Sequence, residues 1–186
     1  MPSPMPRSLV PALLVALLLA AQPGAARAAD AATKACANPE LPRAILDGDP
    51  AAPGKTELRT IRIEAPSAGL RLAVADTEKR RELGLMCVTA LRADAGMIFV
   101  FSSGGDVEFW MKNTLVPLDM VWVEADGRVT TVAANVPASS LEESDDKVAR
   151  RTGHGRYVIE LRAGDAARAG IVKGGRLTVP ALAPAP

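Results

Sequence analysis

The chain has 186 residues, of which 48% are hydrophobic, 23% charged and 3% aromatic, with 22 Lys and Arg residues against 21 Asp and Glu residues. This composition excludes an intrinsically disordered protein and fits one domain with its own core. The near-zero net charge excludes a strongly basic nucleic-acid binder. Two cysteines and one histidine argue against a metal site built from these residues, so we expect neither a metal nor a cofactor.

The N-terminal segment, residues 1–28, is predicted to be a cleaved signal peptide. Arg7 precedes an apolar stretch at 9–21, which is shorter than the roughly 20 apolar residues that span a membrane. Small residues place cleavage after Ala28, with Ala29 as the alternative; a retained membrane anchor is the competing interpretation. The mature protein is expected to be periplasmic or secreted and to have no membrane span.

Cys36 and Cys87 are the two cysteines of the chain. In an oxidising compartment such a pair is expected to form one disulfide, which would tether the chain before the domain to the domain itself. The alternative leaves both cysteines reduced.

The mature chain is predicted to divide into an arm, one domain and a tail. Residues 29–56 contain four prolines, which prevent regular helix and central strand, so this segment is predicted to be an arm. Residues 57–180 form the domain. Residues 181–186, with the sequence ALAPAP, are predicted to be a frayed, disordered end.

The domain is predicted to consist mostly of short strands. Apolar and polar residues alternate over 58–65 and 70–74, which predicts a hairpin. Asp76 is expected to cap a helix that Gly84 ends, and Asp126 with Gly127 marks a second hairpin turn. The other predicted strands cover 97–101, 107–111, 118–123, 128–132, 157–161 and 176–179, with a short helix at 164–169. We therefore expect an α+β, mainly antiparallel β domain with a compact, small barrel-like sheet and one or two short helices.

The segment 107–119 gathers several side chains that are suited to binding. Trp110, Lys112, Asn113, Thr114 and Asp119 fall within one predicted strand, turn and strand. An aromatic surface with a few convergent polar groups is typical of a site for a small polar ligand. We expect Trp110 to stack on a sugar or another ring, and Asn113 and Thr114 to bond its hydroxyl groups.

Asp119 shares a face of its predicted strand with valines, so it is expected to be more buried than most acids. A buried carboxylate needs a partner, which Lys112, Arg80 or Arg81 could supply. Arg81 is accordingly a candidate wall of the site.

A purely structural interpretation of the same segment competes with ligand binding. In it, Asn113 holds a left-handed turn and Thr114 bonds the turn backbone. Lys112 and Asp119 form an ion pair, and Trp110 belongs to the core.

Enzymatic and metal-handling interpretations have less support. The chain lacks a GxSxG string and a histidine metal signature, so we lean against an enzyme. A hydrolase that uses Lys112 with Asp119 or Glu108 stays an alternative. Methionines beside Cys87 make Cu(I) handling a further alternative, although methionine more often fills cores. These methionines are Met86, Met97, Met111 and Met120.

Four short runs resemble the DUF192 family of small bacterial and archaeal domains. They are RELGLM at 81–86, GMIFVF at 96–101, FWMKNT at 109–114 and PLD at 117–119. The resemblance covers about residues 58–180 and implies a compact, strand-dominated α+β domain. It implies little about activity, because the function of that family is unknown.

Two departures from the family pattern are visible. Cys87 and Val88 stand where the family usually has an aromatic and then a basic residue, which supports a disulfide particular to this chain. Gly174 and Gly175 stand where it usually has Gly-Asp, which weakens any role for an acid at that turn.

Together these features predict an exported module of the cell envelope that binds a small polar ligand, a glycan being one candidate, or serves as an accessory protein. The predicted site consists of Trp110, Lys112, Asn113, Thr114 and Asp119, with Arg81 as a wall. The expected partner is an unidentified small ligand or envelope component, and no reaction is assigned.

Overall fold

In the computed structural model, residues 38–42, 44–46 and 58–185 are described. The predicted signal peptide with its cleavage site, most of the predicted arm, Cys36 and Pro186 lie outside these residues. Within the described ranges, no helix is both long enough and apolar enough to cross a lipid bilayer.

The described part of the chain contains six strands and two short helices. In chain order they are β1 (Thr60–Ala65), β2 (Ala68–Ala75), α1 (Glu78–Leu83), β3 (Ala95–Trp110), β4 (Leu118–Val123), β5 (Val129–Val136), β6 (Arg150–Arg162) and α2 (Asp165–Arg168).

The six strands form one mixed sheet in the order β1-β2-β3-β6-β4-β5. Only β2 and β3 pair in parallel, because the connection that contains α1 carries the chain back between them. All other neighbouring strands are antiparallel. The predicted α+β, mainly antiparallel fold class is confirmed.

The sheet is open, so the predicted barrel-like closure is wrong. Its edge strands, β1 and β5, lie at opposite ends of the strand order. The predicted last strand at 176–179 makes only isolated bridges, from Arg176 to Arg128 and from Thr178 to Glu64. This segment therefore meets the two edges through isolated bridges, which do not continue the ladder of a strand around the sheet.

The helix α1 begins one residue later than predicted. Thr77, in an extended conformation, is the N-cap, and its side chain accepts a hydrogen bond from the backbone N–H of Arg80. Asp76 instead lies 2.8 Å from the Arg80 guanidinium as an ion pair. Gly84 ends the helix as predicted, with a φ of 44° that favours glycine.

The predicted strands at 97–101 and 107–111 are parts of one strand, β3, which is 16 residues long. Its register with β6 shifts between Val100 and Gly105, and pairing then continues to Trp110 opposite Arg150. The serines and glycines of this stretch insert an irregularity without ending the ladder, so the strand crosses the point where the sequence indicated a loop.

Each face of the sheet carries a hydrophobic core. The first core includes Phe99 and Trp122, and the second includes their strand neighbours Ile98 and Val121. Alternation along a strand sends neighbouring side chains to opposite faces. The first core is covered by the segment after α1, through residues such as Leu85.

Part of the predicted arm packs on the domain next to α1. Leu41 is buried in the first core. Glu40 Oε2 lies 2.9 Å from Arg80 Nε of α1. Asn38 Nδ2 donates a hydrogen bond to the carbonyl oxygen of Gly84 at 3.3 Å. These contacts connect the described part of the arm to α1 and to the glycine that ends it.

Residues 181–185, predicted as a frayed end, also pack on the domain. Leu182 is buried in the second core, and its carbonyl accepts a hydrogen bond from Arg156 Nη2 at 3.1 Å. The N–H of Ala185 donates to the carbonyl of Asp76 at 2.9 Å. The alanine and proline composition suggested disorder, but Leu182 and the backbone hydrogen bond of Ala185 place this segment against the domain.

Candidate functional site

A small hollow opens where α1 meets β3 and β6. The cavity within it has a volume of about 40 Å³, and the hollow is otherwise open to solvent. Four of the predicted site residues line it, namely Arg81, Trp110, Lys112 and Thr114. The structure therefore brings together residues from α1, from the end of β3 and from the connection to β4.

The hollow is also lined by Glu160 of β6, which the sequence analysis did not select. This residue is only 5% exposed although its side chain ends in a carboxyl group. In the described part of the chain, no cation and no hydrogen-bond donor is paired with that carboxyl. Such a group is unusual, because buried polar groups in proteins nearly always have a partner.

The neighbours of Glu160 explain its electrostatic state. It lies opposite Met97 of β3 and Met120 of β4, both completely buried. The loss of hydration disfavours the charged form and raises the pKa of Glu160 to about 8. At neutral pH the side chain is therefore mainly a neutral carboxylic acid.

Trp110 forms an accessible wall of the hollow. It is 38% exposed, and the guanidinium of Arg150 lies over its ring at 4.9 Å from the centroid. Arg150 is held in turn by Glu108, at 2.9 Å. The other tryptophan, Trp122, is completely buried, and its indole N–H donates to the Val107 carbonyl. Of the two tryptophans, Trp110 is therefore the one that is accessible to a ligand.

Lys112 and Thr114 are fixed by the loop that precedes β6 and by their own turn. Lys112 Nζ forms an ion pair with Asp145 and donates to the carbonyl of Glu143 at 3.3 Å. Thr114 Oγ1 donates to the Lys112 carbonyl at 3.2 Å. The backbone N–H of Ser139 donates to the Thr114 carbonyl at 2.9 Å. The ammonium group is therefore turned toward the loop.

Arg81 is held at the other side of the hollow by backbone carbonyls. Its Nη1 donates to Asp76 O at 3.2 Å and to Val100 O at 3.0 Å. The guanidinium also lies 5.3 Å from the ring centroid of Phe101, a cation–π distance. Both cations that line the hollow, Arg81 and Lys112, are thus committed to groups other than Glu160.

The model of the DUF192 family, described as an uncharacterized ACR, matches residues 60–179. The chain belongs to the DUF192 family. None of the curated proteins compared with this DUF192 chain matches it.

Two solved structures are similar to this DUF192 domain. A proposed transcription regulator from Sinorhizobium meliloti 1021 is 32% identical, with a TM-score of 0.56 over 67% of this chain and 96% of that chain. A protein of unknown function from Novosphingobium aromaticivorans DSM 12444 is 31% identical, with a TM-score of 0.55 over 71% of this chain and 94% of that chain.

Asn113 supports the turn of the DUF192 motif and is not among the residues that line the hollow. Its φ of 53° lies in the left-handed region, which asparagine tolerates better than most residues. Its carbonyl accepts a hydrogen bond from the backbone N–H of Cys87 at 2.7 Å. These contacts match the structural interpretation of this residue.

Asp119 is buried, as expected, but the prediction that a lysine or arginine side chain pairs with it is wrong. Its carboxylate accepts hydrogen bonds from the backbone N–H groups of Asn135, at 2.8 Å, and Ala166, at 2.9 Å. Asp119 pairs with Leu161 in the register, whereas Met120 pairs with Glu160, so Asp119 faces the side of the sheet away from the hollow. The lysine and arginines proposed from the sequence are on the wrong face to reach it.

The alternative chemistries find little support in the described residues. Glu108 is paired with Arg150, and Asp119 faces away, so neither forms the proposed pair with Lys112. No group of three or more His, Cys, Asp or Glu side chains in the described ranges could hold a metal ion. Three of the four methionines considered for Cu(I) are buried in the first core: Met97, Met111 and Met120.

A signal for Glu160 was present in the sequence. The segment YVIEL at 157–161 is a predicted strand with one acid among apolar residues. Alternation places Glu160 on the same face as Val158, which belongs to the first core. An acid at an interior position of a central strand, with no basic residue opposite it, marks an unpaired buried carboxyl. No basic residue lies opposite Glu160 in the register, because Met97 and Met120 occupy those positions.

Proposed function

We propose that this DUF192 domain binds a small polar ligand in the hollow beside α1. The observation that carries the proposal is the carboxyl group of Glu160, which is buried, has no polar partner in the described part of the chain and lines a cavity. A ligand would supply the missing hydrogen bonds. A buried polar group of this kind is costly to stability, so its presence in the wall of a cavity favours a binding role.

The rim of the hollow supports this proposal. Trp110 offers a partly exposed aromatic face. Lys112 and Thr114 also line the hollow, and among the described contacts the hydrogen bonds of Arg81 use only its Nη1 group. An aromatic wall with a few polar groups is suited to a hydroxylated or amide-containing ligand, such as part of a glycan. The narrow interior admits a protruding group, while the rim contacts the rest of the ligand.

We propose further that the protein acts in the cell envelope, after removal of residues 1–28. The support is the sequence pattern of a basic residue, a short apolar core and small residues. The description of the S. meliloti relative as a transcription regulator is not carried over, because the formal net charge of this chain is only +1 and offers little attraction for phosphates.

The two tryptophans of the chain make a direct test possible by NMR, since each indole N–H gives its own signal. Glycerol, acetamide and N-acetylglucosamine serve as probes. We expect at least one of them to shift the Trp110 indole signal in a saturable way while the Trp122 signal, from the buried core, stays in place.

Trp110→Ala is expected to weaken this binding, read from the backbone signals of Thr114 and Arg81. Asp126→Asn, in the exposed hairpin turn between β4 and β5, serves as a matched control that keeps binding. If no probe shifts the Trp110 signal at concentrations up to the molar range, or if both indole signals shift together, the proposed binding site is wrong.

A further inference from the structure

We infer that the ligand presents an uncharged hydroxyl or amide group to Glu160, and that Glu160 meets this group as a neutral carboxylic acid. This inference rests on the proposed function and assigns the chemical class of the group that enters the hollow. It gives Glu160 the role of a ligand-contacting residue that sets specificity.

The first argument is the absence of compensation for a negative charge. Arg81 donates to two backbone carbonyls, and Lys112 is paired with Asp145. Arg162, two residues beyond Glu160 in β6, forms an ion pair with Asp165 at 3.1 Å. Each nearby cation in the described chain therefore has another partner, and an ionised Glu160 would be a buried charge without compensation.

The second argument is complementarity of hydrogen-bonding groups. A protonated carboxyl has one O–H donor and retains acceptor lone pairs. Hydroxyl and amide groups also combine a donor with an acceptor, so either can satisfy both functions of Glu160 at once. A cation would require Glu160 to lose its proton. An anion would have to lose its hydration beside a lysine that is ion-paired with Asp145 and an arginine that donates to backbone carbonyls.

The raised pKa of Glu160, about 8, agrees with this assignment and makes it testable by pH. The other charged groups that line the hollow are Arg81 and Glu82 from α1 and Lys112 from the connection after β3. The faces of β3 and β4 opposite Glu160 contribute Met97 and Met120, which do not titrate. A change of affinity near pH 8 that Glu160→Gln abolishes therefore reports Glu160.

The experiment compares three probes of similar size: ethylene glycol, which is neutral, ethanolamine, which is a cation, and glycolate, which is an anion. Each is titrated into the full mature protein at pH 6, 7 and 9, with the Trp110 indole signal as readout. We expect ethylene glycol to bind best. Its affinity should fall about tenfold between pH 7 and pH 9, because the protonated fraction of a group with a pKa of about 8 falls by that factor.

Two substitutions of Glu160 test the neutral-acid assignment further. Glu160→Gln carries an amide that cannot ionise, so this variant should bind ethylene glycol at pH 9 about tenfold more tightly than the wild type. Glu160→Leu removes both the donor and the acceptor, so it should lose binding of the neutral probe even at pH 6. The pH series on the wild type stands on its own if either variant does not fold.

The possible outcomes separate the inference from the proposed function. Tighter binding of ethanolamine than of ethylene glycol at pH 6 and 7, or loss of ethylene glycol binding in Glu160→Gln at every pH, would overturn the neutral-acid assignment while leaving a functional hollow. A preference for glycolate would overturn it as well. If no probe shifts the Trp110 signal in any condition, the proposed function fails, and this inference fails with it.

Discussion

Glu160 of β6 lies directly opposite Met120 of β4, so a carboxyl group is paired across the sheet with a thioether side chain. The other strand neighbour, Met97, is equally apolar. This arrangement sets the chemistry of the hollow, because it desolvates the carboxyl without giving it a counter-charge. It also has a consequence for stability that can be measured without any ligand.

Glu160→Gln is expected to stabilise the protein at neutral and alkaline pH. The pKa of Glu160 is raised from 4.5 to about 8 in the folded protein, so the folded state holds a proton that the unfolded state has lost. The free energy of unfolding should therefore fall by up to about 1.4 kcal/mol per pH unit between these two values and then level off. Urea denaturation at pH 4, 6 and 9 measures this slope, which Glu160→Gln should remove.

The matched control for this slope is Glu142→Gln, in the exposed loop before β6. It removes the same charge from a solvated position and should change the free energy of unfolding by less than about 0.5 kcal/mol. A wild-type protein whose stability rises between pH 6 and pH 9 would contradict the assignment of a buried neutral acid.

Asp119→Ala is expected to destabilise the fold by about 2–4 kcal/mol, because it leaves the backbone N–H groups of Asn135 and Ala166 without their acceptor. Asp119→Asn keeps one acceptor oxygen and should cost less. Thermal and urea denaturation measure both variants. Since Asp119 faces away from the hollow, its substitution should not alter the ligand-induced shift of the Trp110 indole signal in the folded protein. A loss of binding in a variant that is still folded would show that Asp119 belongs to the site.

Trp110→Ala and Trp122→Ala are expected to differ in their effect on the free energy of unfolding. Trp110 is 38% exposed, so its removal should cost about 1–2 kcal/mol. Trp122 is completely buried and donates a hydrogen bond to Val107, so its removal should cost about 3–5 kcal/mol. Equal costs in urea denaturation would show that Trp110 is a core residue and not a wall.

We propose a disulfide between Cys36 and Cys87, with Cys36 outside the described residues. The support is that Cys87 is buried and that Asn38, two residues after Cys36 in sequence, bonds the Gly84 carbonyl. Intact mass measurement after alkylation without reductant should show no modified cysteine. Reduction should lower the free energy of unfolding by about 2–4 kcal/mol. Alkylation of both cysteines in the unreduced, unfolded protein would contradict the bridge.

The strand pattern was largely predictable because alternation and turn chemistry are local. The hairpin at Asp126 and Gly127 is confirmed, with a φ of 87° at Gly127, and Gly84 ends α1 as predicted. The continuity of β3 was not predictable, because the pairing that carries it across Ser102–Gly105 comes from β6, which is far away in sequence. The barrel-like closure was not predictable either, because closure depends on the pairing of distant strands, and the segment 176–179 forms only isolated bridges.

The site was predictable only in part. The motif residues Trp110, Lys112 and Thr114 lie together around the hollow because they are close in sequence, and Arg81 joins them. Asp119 was misplaced because the path of the connection between β3 and β4 decides which face it occupies. Glu160 was missed because its own strand shows one acid among apolar residues but not what lies opposite that acid, and Met97 and Met120 come from two other strands.

The contacts of Asn38 and Glu40 with α1 and the glycine that ends it bear on how this protein is prepared. The family match begins at residue 60, and a gene fragment trimmed to that boundary would omit the contacts of Glu40 with Arg80 and of Asn38 with Gly84. The helix that carries Arg81 would lose these two contacts, and the shape of the hollow that it lines would change. A truncated sample that fails to bind would thus say more about where the gene was cut than about the chemistry of the family.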